Sequence, residues 1–313
     1  MHAKWVVAVA ALGAAMPPAA ASAAPGAPGA PGAVANWTRG DKEGFGTSTT
    51  TAGKTWFTLA GGELSEVYAP DLGTPSLRDL QFVVSDGATF TERETGDAVQ
   101  RTELADPRSL TYRQVDTARS GRWRITETYV TDPDRSTVLV DVTFESLTGR
   151  PYRLYALADP ALSNTGDDDR GAGMTAWDAK GASAIAADPP FSRASSSYMG
   201  ASDGWTDLET DHRTGLKGSR HLTLALAFGA SPATAATTAA ASLRTGFGML
   251  PEQVWDDRPP AGRTGFEPGT GTGSATPLGW THAQLIRLAW SLDAGRPVER
   301  PATVACRYAG ACG

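Results

Sequence analysis

The sequence predicts a mainly β protein: a large antiparallel β-sandwich followed by a short C-terminal α-helical segment. Three observations point there. Apolar and polar residues alternate with period two in run after run from Trp37 onward. The runs are punctuated by Gly, Pro and Asp, and the 313-residue chain holds 35 Gly and 21 Pro. The strand-like region lacks the intervening helices that a parallel sheet needs for its crossovers.

In chain order, the first element is a leader. His2 and Lys4 make a short polar start, residues 5–16 an apolar run, and Ala21-Ser22-Ala23 a small-residue cleavage pattern. Residues 1–23 therefore read as a secretory signal peptide. The run is too short to span a bilayer, which argues against a retained anchor. Residues 24–35 repeat Pro-Gly-Ala and bury too little apolar surface to fold, so they read as an extended linker.

The strands follow. Residues 79–85 and 89–95 flank Asp86-Gly87, a hairpin signal. Residues 110–115 form another strand. In residues 121–132, Trp123, Ile125 and Tyr129 alternate with Arg122, Arg124, Thr126 and Thr128, and Glu127 interrupts the apolar side. The clearest strand is residues 136–146, with Val138, Val140, Val142 and Phe144 on one face and Leu139, Asp141, Thr143 and Glu145 on the other. Residues 152–158 and 222–228 complete the set that can be read by eye.

Helices come late. Ser231 serves as N-cap with Pro232 at the first helical position, and an Ala-rich run leads to Leu243, with Gly246 as the stop. With almost no bulky apolar face, this helix is expected to lie on the sandwich. Residues 246–274, rich in Gly and Pro, read as loop. Thr276 and Pro277 then open a second helix that runs to about Ala294, with Leu278, Leu285, Ile286, Ala289 and Leu292 in one stripe.

Composition excludes several functions. The net charge is −6 and no basic block occurs, so no nucleic-acid partner is expected. Hydrophobic residues at 41% and charged residues at 20% fit a soluble globular protein, with no membrane association once the leader is cut. Nothing in the sequence asks for a cofactor. Cys306 and Cys312 suit a small disulfide loop in an exported protein; zinc would need four ligands, and no His lies nearby. Asp167-Asp168-Asp169 reads as a calcium-binding group or, with no EF-hand-like loop following, a solvated acidic turn. Trp205 is a candidate for carbohydrate contact or a packed aromatic. His212, His221 and His282 have no spacing that suggests a metal site or triad.

Two blocks carry a family resemblance. The first contains residues 40–46 (GDKEGFG), Glu66-Val67-Tyr68, residues 71–75 (DLGTP), residues 78–82 (RDLQF) and residues 202–208 (SDGWTDL). Together they resemble the N-terminal domain of bacterial glucoamylases and glucodextranases, family 15 glycoside hydrolases. The resemblance covers residues 36–247 and implies a large antiparallel β-sandwich. The second block, residues 250–256 (LPEQVWD) with residues 273–278 and 280–283, resembles the last segment of that family's (α/α)6 catalytic barrel. It implies that Glu252 corresponds to the general base and that Trp280, with Trp255, corresponds to sugar-lining residues. Residues 248–313 are thus expected to be a barrel remnant.

The barrel itself does not fit. Twelve helices need roughly 130–145 residues before any loop is counted, and sandwich-like sequence reaches Phe247 just before Leu250. Inverting glycoside hydrolysis needs a protonated acid and an ionised base about 6.5–9.5 Å apart, and by motif this chain offers only the base. The resemblance therefore implies a secreted, carbohydrate-associated, non-catalytic sandwich whose partner is an α-glucan or other carbohydrate. The rival expectation is an exo-acting α-glucan glucohydrolase that uses Glu252 and a complementing catalytic chain.

Overall fold

The computed structural model describes residues 3–9, 26, 38–165, 168–198, 204–212, 221–245, 290, 291 and 294. The period-two runs become sixteen strands among these residues. They are β1 (Ala3–Val9), β2 (Gly44–Thr47), β3 (Trp56–Ala60), β4 (Glu63–Tyr68), β5 (Pro75–Ser85), β6 (Thr91–Arg93), β7 (Ala98–Asp106), β8 (Thr111–Ala118), β9 (Trp123–Thr131) and β10 (Thr137–Ser146). They continue with β11 (Arg153–Pro160), β12 (Arg170–Ala172), β13 (Thr175–Trp177), β14 (Ala182–Asp188), β15 (Phe191–Tyr198) and β16 (His221–Gly229). Helices α1 (Glu94–Asp97), α2 (Gly204–Asp211) and α3 (Pro232–Thr245) accompany them, with a 3-10 turn at Leu162–Asn164.

The strands form two eight-stranded sheets. The first runs β15-β1-β11-β5-β4-β3-β2, with β6 also paired to β5; the second runs β12-β13-β14-β16-β10-β9-β8-β7. The pairings between named strands are antiparallel. The expected antiparallel sandwich is what the chain builds.

Alternation decides which side chains fill the space between the sheets. Val138, Val140, Val142 and Phe144 of β10 are buried there, as the sequence predicts, with Trp123, Ile125 and Tyr129 of β9. Phe57, Leu59, Leu64, Leu80, Phe82, Val84 and Leu154 from the first sheet belong to the same core. Leu139, on the opposite face of β10, is buried as well. Phe57 links the sheets, with its ring centroid 6.1 Å from Tyr129 and 6.3 Å from Tyr112. Gly46 makes room for it, since a Cβ there would sit 2.2 Å from the Phe57 ring.

The Asp86-Gly87 hairpin is present, but its loop is longer than two residues. Asp86 Oδ1 accepts the backbone N–H groups of Ala88, Thr89 and Phe90, and pairing resumes at Ser85 with Thr91. One carboxylate caps the whole turn, which needs no primed two-residue geometry.

A second apolar cluster lies apart from the main core. Leu208 of α2 joins Val83, Tyr155 and Leu157, with Trp205 packed against them. The Arg93 guanidinium sits 4.4 Å from the Trp205 ring centroid. Thr91 Oγ1 donates to the Leu208 carbonyl at 2.6 Å and Ser85 Oγ to the His212 carbonyl at 2.8 Å, which ties the end of α2 to the first sheet.

Helix α3 begins as the sequence predicts. Ser231 Oγ accepts the Thr234 N–H at 3.2 Å. Its buried face is Ala235, Ala239 and Ser242. Ser242 Oγ donates to Asp132 Oδ2 at 2.7 Å and lies 3.0 Å from Thr137 Oγ1, which docks the helix without bulky residues.

Ala3–Val9 pairs with β11 on one side and β15 on the other, although it lies within the stretch read as a leader. Its residues suit both roles: a run too short for a bilayer is long enough for a strand. Gly26 of the linker bridges Ala172. The chain divides into two units, Met1–Leu243 and Arg244–Gly313. In the second, Trp290 and Ser291 are helical and the Ala294 N–H donates to the Trp290 carbonyl at 2.9 Å, within the helix expected there.

Candidate functional site

Two of the segments that carry the family resemblance, residues 40–46 and Glu66-Val67-Tyr68, meet through Lys42. Lys42 Nζ lies 3.0 Å from Glu66 Oε2 and donates to Ser65 Oγ and Thr38 Oγ1, each at 2.9 Å. Tyr68 Oη donates to the same Glu66 oxygen at 2.8 Å. Burial raises the Glu66 carboxyl, but the hydrogen bonds from Lys42, Tyr68 and Thr38 outweigh it and hold it below the ordinary range. Tyr68 is pushed up to about 12, by burial first and then by Glu66. Glu66 has φ of 63°, so the network fixes a backbone conformation unusual for a side chain of this size.

Asp71 organises the next segment. Its Oδ1 accepts the Gly73 N–H and the Thr74 hydroxyl, each at 2.9 Å, and its carbonyl accepts the Thr74 N–H at 3.1 Å. This turn forms one wall of a cleft of about 620 Å³. Ser163, Lys180 and Phe228 are among the residues of the other walls. Lys180 is exposed, whereas Phe228 is buried and offers no open stacking face. The cleft can thus make hydrogen bonds through hydroxyl, carboxylate and ammonium groups, the groups a sugar hydroxyl requires.

Beside the cleft lie Asp168, Asp169 and Asp178, with one oxygen of each within 4.8 Å of the others. These carboxylates hold turns. Asp178 Oδ1 accepts the N–H groups of Lys180 and Gly181, both at 2.7 Å, and its Oδ2 accepts Ser163 Oγ–H at 2.7 Å. Asp169 Oδ2 accepts the Leu162 N–H at 2.9 Å. Burial, more than its acidic neighbours, pushes Asp169 up to about 7.

A third group was only half visible in the sequence. Glu127 breaks the apolar face of β9, and the fold brings it against Glu94 and Asp116, all fully buried. Asp116 and Glu94 sit in runs with no clear apolar periodicity, so their inward orientation could not be read.

The predicted site residues Glu252, Trp255 and Trp280 lie outside the described residues, as do Cys306, Cys312, Asp167 and His282. Trp205 is the packed aromatic of α2, and the His212 ring contacts Thr91 Oγ1 through Nδ1 at 2.9 Å.

Comparison with known proteins agrees with this architecture. Residues 27–215 match the family described as glucodextranase, domain N. A glucoamylase from Clostridium sp. (strain G0005) is 38% identical over 137 residues, which cover 43% of this chain and 20% of that protein. The crystal structure of a bacterial glucoamylase complexed with acarbose superposes with a TM-score of 0.64 at 30% identity, covering 69% of this chain and 36% of that one. The chain thus spans about a fifth to a third of the length of these relatives. With a sandwich of matching topology and a family match over most of its described body, the chain belongs to the glucodextranase domain N family.

Proposed function

We propose that this chain is a secreted, carbohydrate-associated sandwich that does not hydrolyse glycosides by itself. The observation that carries the reading is that the carboxyls clustered among the described residues are not free for the reaction. Glu94, Asp116 and Glu127 are sealed from solvent, and Asp169 and Asp178 are committed to backbone N–H groups. The relatives are called glucoamylases, which supports an α-glucan as the carbohydrate; the cleft bounded by Asp71, Ser163 and Lys180 is its proposed seat. Export rests on the sequence of residues 1–23, and the exported protein is expected to begin at Ala24.

Purified protein incubated with maltooligosaccharides or dextran is expected to release no glucose. It is expected to be retarded on immobilised starch or dextran, with Lys180→Ala weakening retention roughly fivefold through loss of about 1 kcal/mol of hydrogen bonding. No retention at all would reduce the chain to a scaffold.

The LPEQVWD segment supports a second reading, an exo-acting enzyme completed by another chain that supplies the acid. Sustained glucose release that disappears in Glu252→Gln would replace the first reading with this one.

A further inference from the structure

Four polar side chains meet inside the sandwich, where the strand pattern should place apolar ones. Gln114 and Asp116 of β8 and Glu127 of β9 take inward positions beside Ala118, Ile125 and Tyr129, and Glu94 joins them from α1. All four are 0% exposed.

Half of their hydrogen-bonding capacity is satisfied by protein. The Phe82 N–H donates to Glu94 Oε1 at 2.7 Å. Gln114 Nε2 donates to Asp116 Oδ2 at 2.8 Å and to Glu127 Oε2 at 2.6 Å, and Tyr129 Oη donates to Glu127 Oε2 at 3.0 Å. The other half is not. Glu94 Oε2, Asp116 Oδ1, Glu127 Oε1 and Gln114 Oε1 are buried oxygens with no donor. The Gln114 amide is anchored in the cluster by its two hydrogen bonds, so its bare oxygen is a fourth acceptor that is not itself acidic.

Charge makes the deficit sharper. Among the described residues no Lys, Arg or His forms an ion pair with Glu94, Asp116 or Glu127. Three sealed carboxylates without a counter-charge are not tenable in a folded protein. Either protons or a cation must offset them: in the cation's absence burial drives all three carboxyls upward, the charge of Glu127 adds to the rise at Glu94 and Asp116, and hydrogen bonds from its neighbours partly offset the rise at Glu127.

The chemistry of the donors selects the cation. They are all oxygens, with no nitrogen or sulfur, which is the set for a hard ion. One oxygen from each carboxyl lies within 4.8 Å of the other two. That bound fits ligands around one calcium, which at 2.3–2.6 Å each stand up to roughly 5 Å apart, and magnesium binds less readily in a sealed all-protein cage because it holds on to its waters. Gly62 passes close beside the cluster: with φ of 83°, a Cβ there would lie 3.1 Å from Asp116 Oδ1 and 2.5 Å from the Gln100 side chain.

We propose that Glu94, Asp116, Glu127 and the Gln114 amide oxygen bind one calcium ion between the sheets of the sandwich. The ion would tie β8 and β9 to α1 and, through the Glu94 contact with Phe82, to the opposite sheet. This site is separate from the cleft and independent of any carbohydrate role.

The test uses the full chain, stripped with a chelator, and calcium alone as the probe. Calorimetric titration is expected to show one tight equivalent lost in Asp116→Asn and in Glu127→Gln, and retained in Asp178→Asn. Melting is expected to rise by about 5–10 °C at a hundredfold excess of calcium over its dissociation constant. Terbium in calcium's place is expected to luminesce on excitation of the aromatic residues, more weakly in Tyr129→Phe. Absence of any calcium response in the stripped wild-type protein overturns the proposal. So does a response that survives both Asp116→Asn and Glu127→Gln, or that is lost in Asp178→Asn alone. If a β8 or β9 variant fails to fold, Glu94→Gln and the wild-type titration decide.

Discussion

Single carboxylates in this sandwich do opposite jobs depending on burial. Asp86 is half-buried and accepts three backbone N–H groups and the Thr89 hydroxyl; these bonds outweigh the upward push of burial and hold it far below the usual range. Its contribution is present at neutral pH and fades as acid protonates it. Asp169 is the reverse case, raised to about 7 by burial. The folded state holds that proton while the unfolded state has already released it at about pH 4. Its effect is therefore to lower stability as pH rises from about 4 to 7, the sign expected for a carboxyl whose folded value is elevated. Asp169→Asn keeps an acceptor for the Leu162 N–H and removes the charge. Denaturant melts of the two proteins are expected to coincide near pH 4 and to separate by about 1 kcal/mol or more in favour of the variant at pH 8.

At the scale of elements, α3 shows how a helix without an apolar stripe still docks. Its contact face is two alanines and a serine, so the helix approaches the sheet closely and spends a hydroxyl on Asp132 and Thr137. That closeness makes the face intolerant of bulk. Ala239→Leu is expected to destabilise the protein by about 1–3 kcal/mol, read as a lower denaturant midpoint, whereas the same change at the exposed Ala236 or Ala233 should shift it by less than about 0.5 kcal/mol. Helix α2 relies instead on Leu208 and Trp205, the pattern a sequence reader expects of a docked helix. Strand β1 raises a separate point. It lies between β11 and β15, so removal of the leader would leave the facing edges of both strands without that partner.

Across the whole molecule, the two sheets share one core, and the residues that span it govern the stability of both. Phe57 of the first sheet meets Tyr112 and Tyr129 of the second. Phe57→Ala is expected to cost about 3–5 kcal/mol, with near-ultraviolet and far-ultraviolet circular dichroism losing signal together as both sheets unfold. Loss of the near-ultraviolet signal alone would mean that side-chain packing is lost while the strands persist.

The fold class was legible because alternation is a local property: β9 and β10 show their buried faces residue by residue, and Ser231-Pro232 marks the start of α3 without reference to anything else. The family landmarks were legible for the same reason, as short ordered segments. The association of those segments was not. Nothing in the spacing of Lys42 and Glu66, or of Asp71 and Lys180, says that they share a network or a cleft, because register and sheet order join residues far apart in the chain. Glu127 announced itself as an interruption, yet its meaning depends on Glu94 and Asp116, which sit in runs with no apolar rhythm. The sequence by itself determined an antiparallel sandwich, since side-chain alternation needs no partner to be read. Only the tertiary structure decided which carboxylates are sealed inside it without a counter-charge, because desolvation is a property of everything that surrounds a group.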